Sequence, residues 1–349
     1  MNVVLVGQGN KSYMPYMDTY LTILRESNVN YDVINWDRLA IEELNELTFR
    51  DNKSKIRRNF LDYLKYGRFV AKELQKKEYQ RVVVFGIEVA FFISQILKHD
   101  YGDRYVLDVR DDHKIRRFFN IESLIEKSCF TVLSSPGYRT WLPKSSKYVI
   151  NHNSTIRSLD ELREVKLNYS LKDRLVIANI GNIRDYRINV DLVNSLQNSS
   201  QIVIKFHGQG VANKEFERYI KLHNITNVVL TGRYEKGNEE ALYLEADMIN
   251  VLRYNDSINN RTALPNRLYN AAIYGKPLLA FRGTYLAELI SKYNLGLVLD
   301  SFENTEEDVR YYLREFDVKK YDEGRRDFLR GVVKDNLEFR ERFEGFVET

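Results

Sequence analysis

Short apolar runs alternate with longer segments of helical periodicity along the whole chain. In the first half, these runs are Val3–Val6, Tyr31–Ile34, Val82–Phe85, Tyr105–Val109, Phe130–Leu133 and Tyr148–Ile150. Because they are apolar on both faces, they are typical of parallel strands that helices cover on both sides. The pattern therefore predicts a doubly wound α/β domain in the first half of the chain.

The same alternation begins again after a polar stretch at 154–173, which we interpret as a connection between domains. The second series of predicted strands comprises Leu175–Ile180, Ile202–Phe206, Val228–Leu230, Met248–Leu252, Leu278–Phe281 and Leu297–Leu299. We therefore predict an α/β protein of two doubly wound, Rossmann-like domains that face each other across a cleft, with ligands at the carboxyl ends of the strands. The predicted boundaries are 1–160, 161–330, and 331–349 for a terminal helix that packs back on the first domain.

Composition excludes several classes of protein. One cysteine, Cys129, among 349 residues excludes a disulfide framework and a Cys-rich zinc site. The five histidines show no HxxxH spacing, so we predict no metal site of the zinc-protease type. The N-terminus has no basic segment, and the longest apolar stretch, Val82–Leu97, contains Glu88 and is too short to span a membrane. We expect a cytoplasmic protein.

A candidate anion site lies in the segment from Pro265 to Pro277. Proline suits the start of a helix, and Gly275 suits its end. Arg261 precedes this predicted helix, and Arg267 and Asn270 share one of its faces. Since the N-terminus of a helix attracts anions, the segment predicts a site for a diphosphate beside a sugar hydroxyl. The alternative is an amphipathic helix with a solvated arginine.

Two other predicted strands end near cations. Gly181 follows one strand, with Arg184 and Arg187 just beyond it, and Lys205 lies at the end of another. Arginine and lysine at such positions are natural partners for phosphate oxygens, although each alone is more often an ordinary surface charge. Three such groups at the carboxyl ends of one sheet favour a phosphate-binding function.

The order of these segments carries a family resemblance. The relevant segments of the second half are Ile180–Arg187, Lys205–Gly208, Val228–Gly232, Ala246–Asp247 and Pro265–Pro277. Those of the first half are Gly7–Asn10, Leu107–Asp111, Ser134–Ser135 and His152–Asn153. In order and spacing they resemble GT-B glycosyltransferases, especially family-4-like enzymes of bacterial surface polysaccharide synthesis. The resemblance covers nearly the whole chain and implies the GT-B fold and glycosyl transfer.

This resemblance implies a nucleotide-diphosphate sugar donor of the UDP or GDP type, no further cofactor, and a glycan or polyprenyl-linked acceptor. The candidate donor-binding residues are Gly7, Gly9, Arg184, Arg187, Lys205, Arg233, Tyr234, Arg261, Arg267 and Asn270. The sequence departs from the family at two positions. Where the family often carries two glutamates eight residues apart, Thr262 and Asn270 stand here. Asn270 can accept a hydrogen bond from a ribose hydroxyl, but it brings no charge.

The sequence has no DxD motif of the kind that holds a metal–diphosphate pair, so we predict that transfer is metal-independent. Cations and helix dipoles would then stabilise the departing diphosphate. An inverting enzyme also needs a general base, for which Asp111, Asp112 and His113 are candidates. Asp111 has a structural alternative, a pair with Arg110 or Arg116. The sequence does not distinguish retention from inversion.

The excess of positive charge lies in one segment of the first half. Ten basic residues and three acidic ones fall between Lys53 and Arg81, interleaved with aromatic residues. Such a helix can lie on an anionic membrane, with Arg57, Arg58, Lys65 and Arg68 as candidate contacts. The alternative is a solvated helix whose apolar stripe packs on the sheet.

Other functions remain open. A non-catalytic GT-B subunit that activates a partner transferase would explain the two replaced glutamates. A nucleotide-sugar 2-epimerase would need a carboxylate and histidine cluster that the sequence does not indicate. A Rossmann dehydrogenase is disfavoured because position 12 is Ser where a third glycine is needed. Nucleic-acid binding would rest only on the basic segment, so we predict none.

Overall fold

The computed structural model describes residues 1–51, 53, 58–165 and 174–348. They form two compact units, Met1–His152 with Lys334–Thr349, and Asn153–Val333. The sequence placed the boundary eight residues later. Residues 153–165 belong to the second unit because Ile156 packs in its core and the Arg163 amide donates to the carbonyl of Ile273 at 3.0 Å.

The first unit contains a seven-stranded parallel sheet in the order β3-β2-β1-β4-β5-β6-β7. Its strands are β1 (Asn2–Val6), β2 (Asn30–Asp37), β3 (Thr48–Arg50), β4 (Arg81–Phe85), β5 (Tyr105–Val109), β6 (Phe130–Leu133) and β7 (Tyr148–Ile150). The sequence pattern predicted all of these except β3, which is short and lies at the edge of the sheet.

The described part of the first unit contains the helices α1 (Met17–Glu26), α2 (Phe60–Lys76), α3 (Ile87–Phe92), α4 (Ser94–His99) and α5 (Ile121–Lys127). Short 3-10 turns follow several strands, among them Lys11–Tyr13, Lys114–Phe118 and Pro136–Thr140. The end of the last helix, from Lys334 onward, also belongs to this unit. There Phe339 and Phe343 pack edge-on against Tyr20 of α1, with ring centroids 5.0 and 4.9 Å apart.

The second unit contains a six-stranded parallel sheet in the order β10-β9-β8-β11-β12-β13. Its strands are β8 (Leu175–Ile180), β9 (Ile202–His207), β10 (Val228–Gly232), β11 (Met248–Asn250), β12 (Leu278–Phe281) and β13 (Gly296–Leu299). Its helices are α6 (Tyr186–Leu196), α7 (Asn213–Leu222), α8 (Glu239–Glu245), α9 (Ile258–Thr262), α10 (Asn266–Ile273), α11 (Tyr285–Lys292), α12 (Thr305–Arg314) and the first part of α13 (Val318–Glu348). Its core lies on both faces of the sheet.

Both sheets are doubly wound, as the sequence predicted. The strand order reverses between β1 and β4 in the first sheet and between β8 and β11 in the second. Ligands of doubly wound sheets bind outside the carboxyl ends of the strands at such a switch point. In the second unit, the loops that follow β8 and β11 are therefore the expected place for a ligand. Among the described helices, none is both long enough and apolar enough to cross a membrane.

Candidate functional site

Arg267 lies at the switch point of the second sheet. From the first turn of α10, its Nη1 donates to Oδ1 of Asn179 near the end of β8, and to the carbonyl of Asn250 at the end of β11 at 2.7 Å. No carboxylate pairs with this guanidinium within the described ranges, and burial lowers its pKa. A desolvated arginine without a carboxylate partner is suited to an anionic ligand.

Helix α10 begins and ends much as its sequence predicts. Pro265 is the N-cap residue rather than the first helical one, and the helix starts at Asn266. Gly275 has a φ of +69°, and Lys276 closes the last turn through a 2.8 Å hydrogen bond to the carbonyl of Ala271. The first turn contains no acidic residue that would compete with an anion for the free N–H groups.

Arg325, which sequence reasoning missed, fixes the opposite end of α10. This fully buried side chain donates to the carbonyls of Ala272 at 2.9 Å and Arg163 at 2.7 Å, and it pairs with Asp322. A cation at the C-terminus of a helix also interacts favourably with the helix dipole. Arg325 lies 53 residues from Ala272 along the chain, so no local sequence pattern indicates this contact.

Three glycines with positive φ end the neighbouring strands β8, β9 and β10. They are Gly181 (+109°), Gly208 (+129°) and Gly232 (+75°). A Cβ on Gly208 would lie 2.0 Å from the carbonyl oxygen of Gly181, whereas one on Gly181 or Gly232 would meet no atom within 4 Å. Gly208 is therefore required for packing, and the space beside Gly181 is open to the close approach of a ligand.

Arg184 and Arg187 flank the N-terminus of α6 and are both exposed. The Arg187 guanidinium lies 5.2 Å from the ring centroid of Tyr254, a cation–π distance. Arg184 has no ion-pair partner in the part of the chain that the structure describes. Both arginines thus lie just beyond β8, the strand that also provides Asn179.

Lys205 differs from its expected setting. Strand β9 continues to His207, so Lys205 lies inside the strand rather than at its end. Its ammonium group pairs with the carboxylate of Glu245 at the end of α8. This pairing neutralises much of the charge that the sequence assigned to a diphosphate.

His207 is a second residue that the sequence pattern does not single out. It is buried at the end of β9, where its Nδ1 lies 2.9 Å from the hydroxyl of Thr231 and its Nε2 is buried without a hydrogen-bond partner among the described residues. Burial lowers the pKa of this imidazole, which is therefore neutral near pH 7.

Two of the candidate donor-binding residues, Arg233 and Tyr234, have polar partners of their own. Arg233 is exposed and donates from Nε to Gln209 at 2.7 Å, and the hydroxyl of Tyr234 donates to Glu239 at 3.1 Å. Gln209 follows β9, whereas Arg233, Tyr234 and Glu239 follow β10. Arg233 and Tyr234 therefore lie at the same edge of the sheet as the glycines that end β8, β9 and β10.

Asn270 and Thr262 stand where the glycosyltransferases that the sequence resembles often carry glutamates, and each forms a hydrogen bond. Asn270 hydrogen-bonds the buried hydroxyl of Tyr243. Thr262 donates to the carbonyl of Ile258 within α9 at 2.7 Å. Arg261, on the same short helix, is exposed.

Gly7 and Gly9, which follow β1, differ in how closely neighbouring atoms approach them. A Cβ on Gly7 would lie 2.7 Å from the terminal methyl of Met14, and the Gly7 carbonyl accepts from the hydroxyl of Tyr66 at 2.5 Å. Gly9 has more room, since a Cβ there would lie 3.9 Å from Nε of Arg38. Neither glycine has a positive φ. Gly7 therefore serves packing in the first unit.

The acidic segment after β5 separates into buried and exposed parts. Asp108 is fully buried and accepts from both Arg110, at 2.5 Å, and the hydroxyl of Tyr20, at 2.5 Å. Asp112 pairs with Arg116 at 2.5 Å. Asp111, next to Asp112 in the chain, is exposed.

His113 lies two residues beyond Asp111 and is half-buried. Its Nδ1 accepts from the amide of Ile115 at 3.3 Å and so caps a 3-10 turn. The ring centroid lies 6.1 Å from that of Tyr63. Asp111 and His113 thus both lie at the carboxyl edge of the first sheet.

The basic segment of the first unit packs its apolar stripe into the protein. Helix α2 buries Tyr63, Tyr66 and Val70, so this stripe is not available to a membrane. Arg58 is also unavailable because its side chain is buried against Asp51 at 2.7 Å. Lys65 and Arg68 are exposed, and Arg57 lies outside the described residues.

In the described ranges, no group of three or more His, Cys, Asp or Glu side chains is arranged to hold a metal ion. Metal-independent transfer remains a prediction, because cations at the switch point and a metal ion are alternative ways to stabilise a diphosphate.

Solved structures similar to this chain show its fold. HepE of Anabaena in complex with UDP and glucose matches 99% of this chain and 100% of its own, with 12% identity and a TM-score of 0.66. Sucrose-phosphate synthase of Thermosynechococcus elongatus matches 99% and 95%, with 12% identity and a TM-score of 0.65. WaaG, a glycosyltransferase involved in lipopolysaccharide biosynthesis, matches 98% and 99%, with 13% identity and a TM-score of 0.65.

These matches confirm the predicted GT-B class, an α/β fold of two Rossmann-like units. No protein-family model matches the sequence, and no curated protein matches it significantly. At 12–13% identity the likeness shows the fold.

Proposed function

We propose that this protein is a glycosyltransferase that moves a sugar from a nucleotide-diphosphate sugar to a lipid-linked or growing surface glycan. One observation carries the proposal: the partly buried Arg267 bridges the carboxyl ends of β8 and β11, and no carboxylate pairs with it in the described part of the chain. A diphosphate is the ligand class that matches a desolvated guanidinium beside a helix N-terminus.

The comparisons support a donor of the UDP type. Among the similar structures, HepE is seen with UDP, with UDP and glucose, and with UDP-glucose. In this chain, the base would lie near Arg233 and Tyr234, and the ribose near Asn270. The open space beside Gly181 leaves room for the sugar diphosphate to approach the backbone.

Charge stabilisation would come from the second unit. Arg267 and the N-terminus of α10 would stabilise the negative charge that develops on the departing diphosphate. Arg184 and Arg187, at the start of α6, would add further positive charge near the diphosphate. Lys205 would contribute less, because Glu245 already neutralises it. We propose that this set of groups replaces a metal ion.

Acceptor activation is assigned to the first unit. For an inverting reaction, Asp111 would take the proton of the acceptor hydroxyl, with His113 as the alternative base. The exposed carboxylate of Asp111 is accessible to an acceptor, whereas Asp108 is enclosed by Arg110 and Tyr20. A lipid-linked acceptor would place the reaction at the cytoplasmic face of a membrane.

A second candidate is a non-catalytic subunit that activates another transferase. The uncharged contacts of Asn270 and Thr262 favour it, because neither residue supplies the carboxylate that the family often has there.

Donor turnover by the purified full-length chain tests the proposal. Release of each donor's own nucleotide (UDP, GDP, dTDP or CMP) is measured with UDP-, GDP-, dTDP- and CMP-sugars, with and without a lipid-linked acceptor and with chelator. We expect turnover of one diphosphate donor that survives chelation. Donor binding without turnover, restored only by a partner transferase, would favour the non-catalytic subunit. Loss of turnover on chelation would contradict metal independence alone.

A further inference from the structure

An exposed ridge of cations runs along helix α2. Lys65, Arg68 and Lys72 are exposed and lie on one helix face with Leu61, which is 63% exposed. We call these four residues the α2 ridge. In the described part of the chain, none of its three cations has an ion-pair partner.

The ridge carries no negative charge of its own. Helix α2 contains two acidic residues, Asp62 and Glu73, and both are buried. Asp62 pairs with Lys53 and Glu73 with Lys76. The charges on the exposed face of α2 are therefore all positive, while its other, apolar face packs in the first unit.

Four aromatic side chains, of which Phe60 and Phe118 are exposed, continue the surface at the N-terminal end of α2. Phe60 is 57% exposed, and its ring centroid lies 6.3 Å from that of Phe91, which in turn lies 5.1 Å from that of Phe119. The preceding residue in the chain, Phe118, is 77% exposed. We call Phe60, Phe91, Phe118 and Phe119 the aromatic rim.

Two further cations flank the aromatic rim. Lys114 and Arg117 are exposed on the 3-10 turn that ends at Phe118, and neither has an ion-pair partner in the described part of the chain. Arg116 between them is engaged differently, because it pairs with Asp112. Exposed phenylalanines and unpaired cations therefore occur together at the same end of the unit.

We propose that the α2 ridge and the aromatic rim dock the protein on an anionic lipid bilayer. The cations would lie against lipid phosphates, and Phe60, Leu61 and Phe118 would enter the interfacial region. A nucleic acid would also attract the cations, but it offers no apolar phase for Leu61 and Phe118. The proposal does not depend on donor binding, which is assigned to the second unit.

Vesicle flotation of the full-length protein tests this surface. Vesicles of phosphatidylcholine alone are compared with vesicles that also contain phosphatidylglycerol. The ridge variant is K65E/R68E/K72E, and its matched control is K127E/R139E/K144E, which makes the same charge change at three other exposed positions of the first unit. An apolar variant, L61S/F118S, is compared with L222S/L337S, which alters two other exposed leucines.

We expect the native protein to bind only the anionic vesicles, with binding that weakens as salt increases. The ridge variant should lose roughly 10- to 100-fold in partition coefficient, and L61S/F118S should also lose binding, while both controls retain it. The proposal is overturned by failure of the native protein to bind anionic vesicles, by equal losses in a variant and its control, or by oligonucleotide binding that needs the ridge without vesicle binding. UDP titration of each variant shows separately whether donor binding persists.

Discussion

The Nη1 atom of Arg267 lies 2.7 Å from the carbonyl oxygen of Asn250, at the point where the strand order of the second sheet reverses. The same atom also donates to Asn179, so one nitrogen ties α10 to both strands of the switch point. Nε and Nη2 have no hydrogen-bond partner in the described ranges. The geometry thus holds the side chain in place and leaves two of its nitrogens for a ligand.

Glycine replacements at the strand ends should differ sharply in their effect. Gly208→Ala places a Cβ 2.0 Å from the Gly181 carbonyl at a φ of +129°, so we expect a loss in stability of more than about 2 kcal/mol. Gly232→Ala meets no neighbouring atom and should cost about 1 kcal/mol through its φ alone. Thermal unfolding of both variants measures the difference. Equal costs would contradict the packing role of Gly208.

Removing the cap of α10 should weaken both stability and donor binding. Arg325→Met deprives the carbonyls of Ala272 and Arg163 of their donor, at a cost of about 3 kcal/mol. Hydrogen exchange should become faster in α10. The matched control is Arg326→Met, because Arg326 is partly exposed and pairs with the same Asp322. An equal effect of the two substitutions would show that the cap does not fix the helix.

Acid should destabilise the first unit through Asp37. Burial alone would raise the pKa of this carboxyl, but hydrogen bonds from Arg50, Asn10 and two backbone amides outweigh it and lower the pKa to about 2. The carboxylate therefore contributes about 2 kcal/mol of stability at pH 5 and above. Since the folded pKa is depressed, this contribution is lost as the pH falls from about 4 through 2.

Both tryptophans, Trp36 and Trp141, lie in the first unit, so tryptophan fluorescence follows its unfolding. Asp37→Asn should be less stable than the native protein at neutral pH, and the difference should shrink toward about pH 2. A stability difference that does not change with pH would mean that the charge of Asp37 is unimportant.

Lys205 should contribute less to donor binding than Arg267. Its ammonium is paired with Glu245, so Lys205→Met removes a charge that is already neutralised. We expect less than about a threefold change in the dissociation constant for UDP. Lys221→Met serves as the control, since Lys221 also pairs with a glutamate but lies on α7. A loss as large as that of Arg267→Ala would assign Lys205 a direct role.

The sequence predicted the strands well because nearly all of them are apolar runs that end in glycine or polar residues. It missed β3, whose three residues, including Arg50, form no apolar run. It also missed contacts between distant parts of the chain. The pairing of Lys205 with Glu245, the cap by Arg325 and the burial of Arg58 by Asp51 depend on tertiary packing that local patterns do not record.

The candidate anion site was predictable in part. A proline, an arginine in the first turn and a final glycine identify α10 and its N-terminus from the sequence alone. The bridge from Arg267 to β8 and β11 was not predictable, because it depends on the strand order of the sheet. His207 was missed since an isolated histidine at the end of a strand is more often a packed core residue.

Isothermal titration with UDP measures whether Arg267 holds the donor diphosphate. The native chain should bind UDP, and Arg267→Ala should weaken binding by roughly 10- to 100-fold, the range expected for hydrogen bonds to a charged group. Arg267→Lys should recover only part of this loss, because the single nitrogen of lysine cannot bridge Asn179 and Asn250 and also offer two further nitrogens to the diphosphate. Arg310→Ala, on the exposed surface of α12, should bind as the native protein does. Unchanged UDP affinity in a folded Arg267→Ala variant would show that the diphosphate does not bind at the switch point.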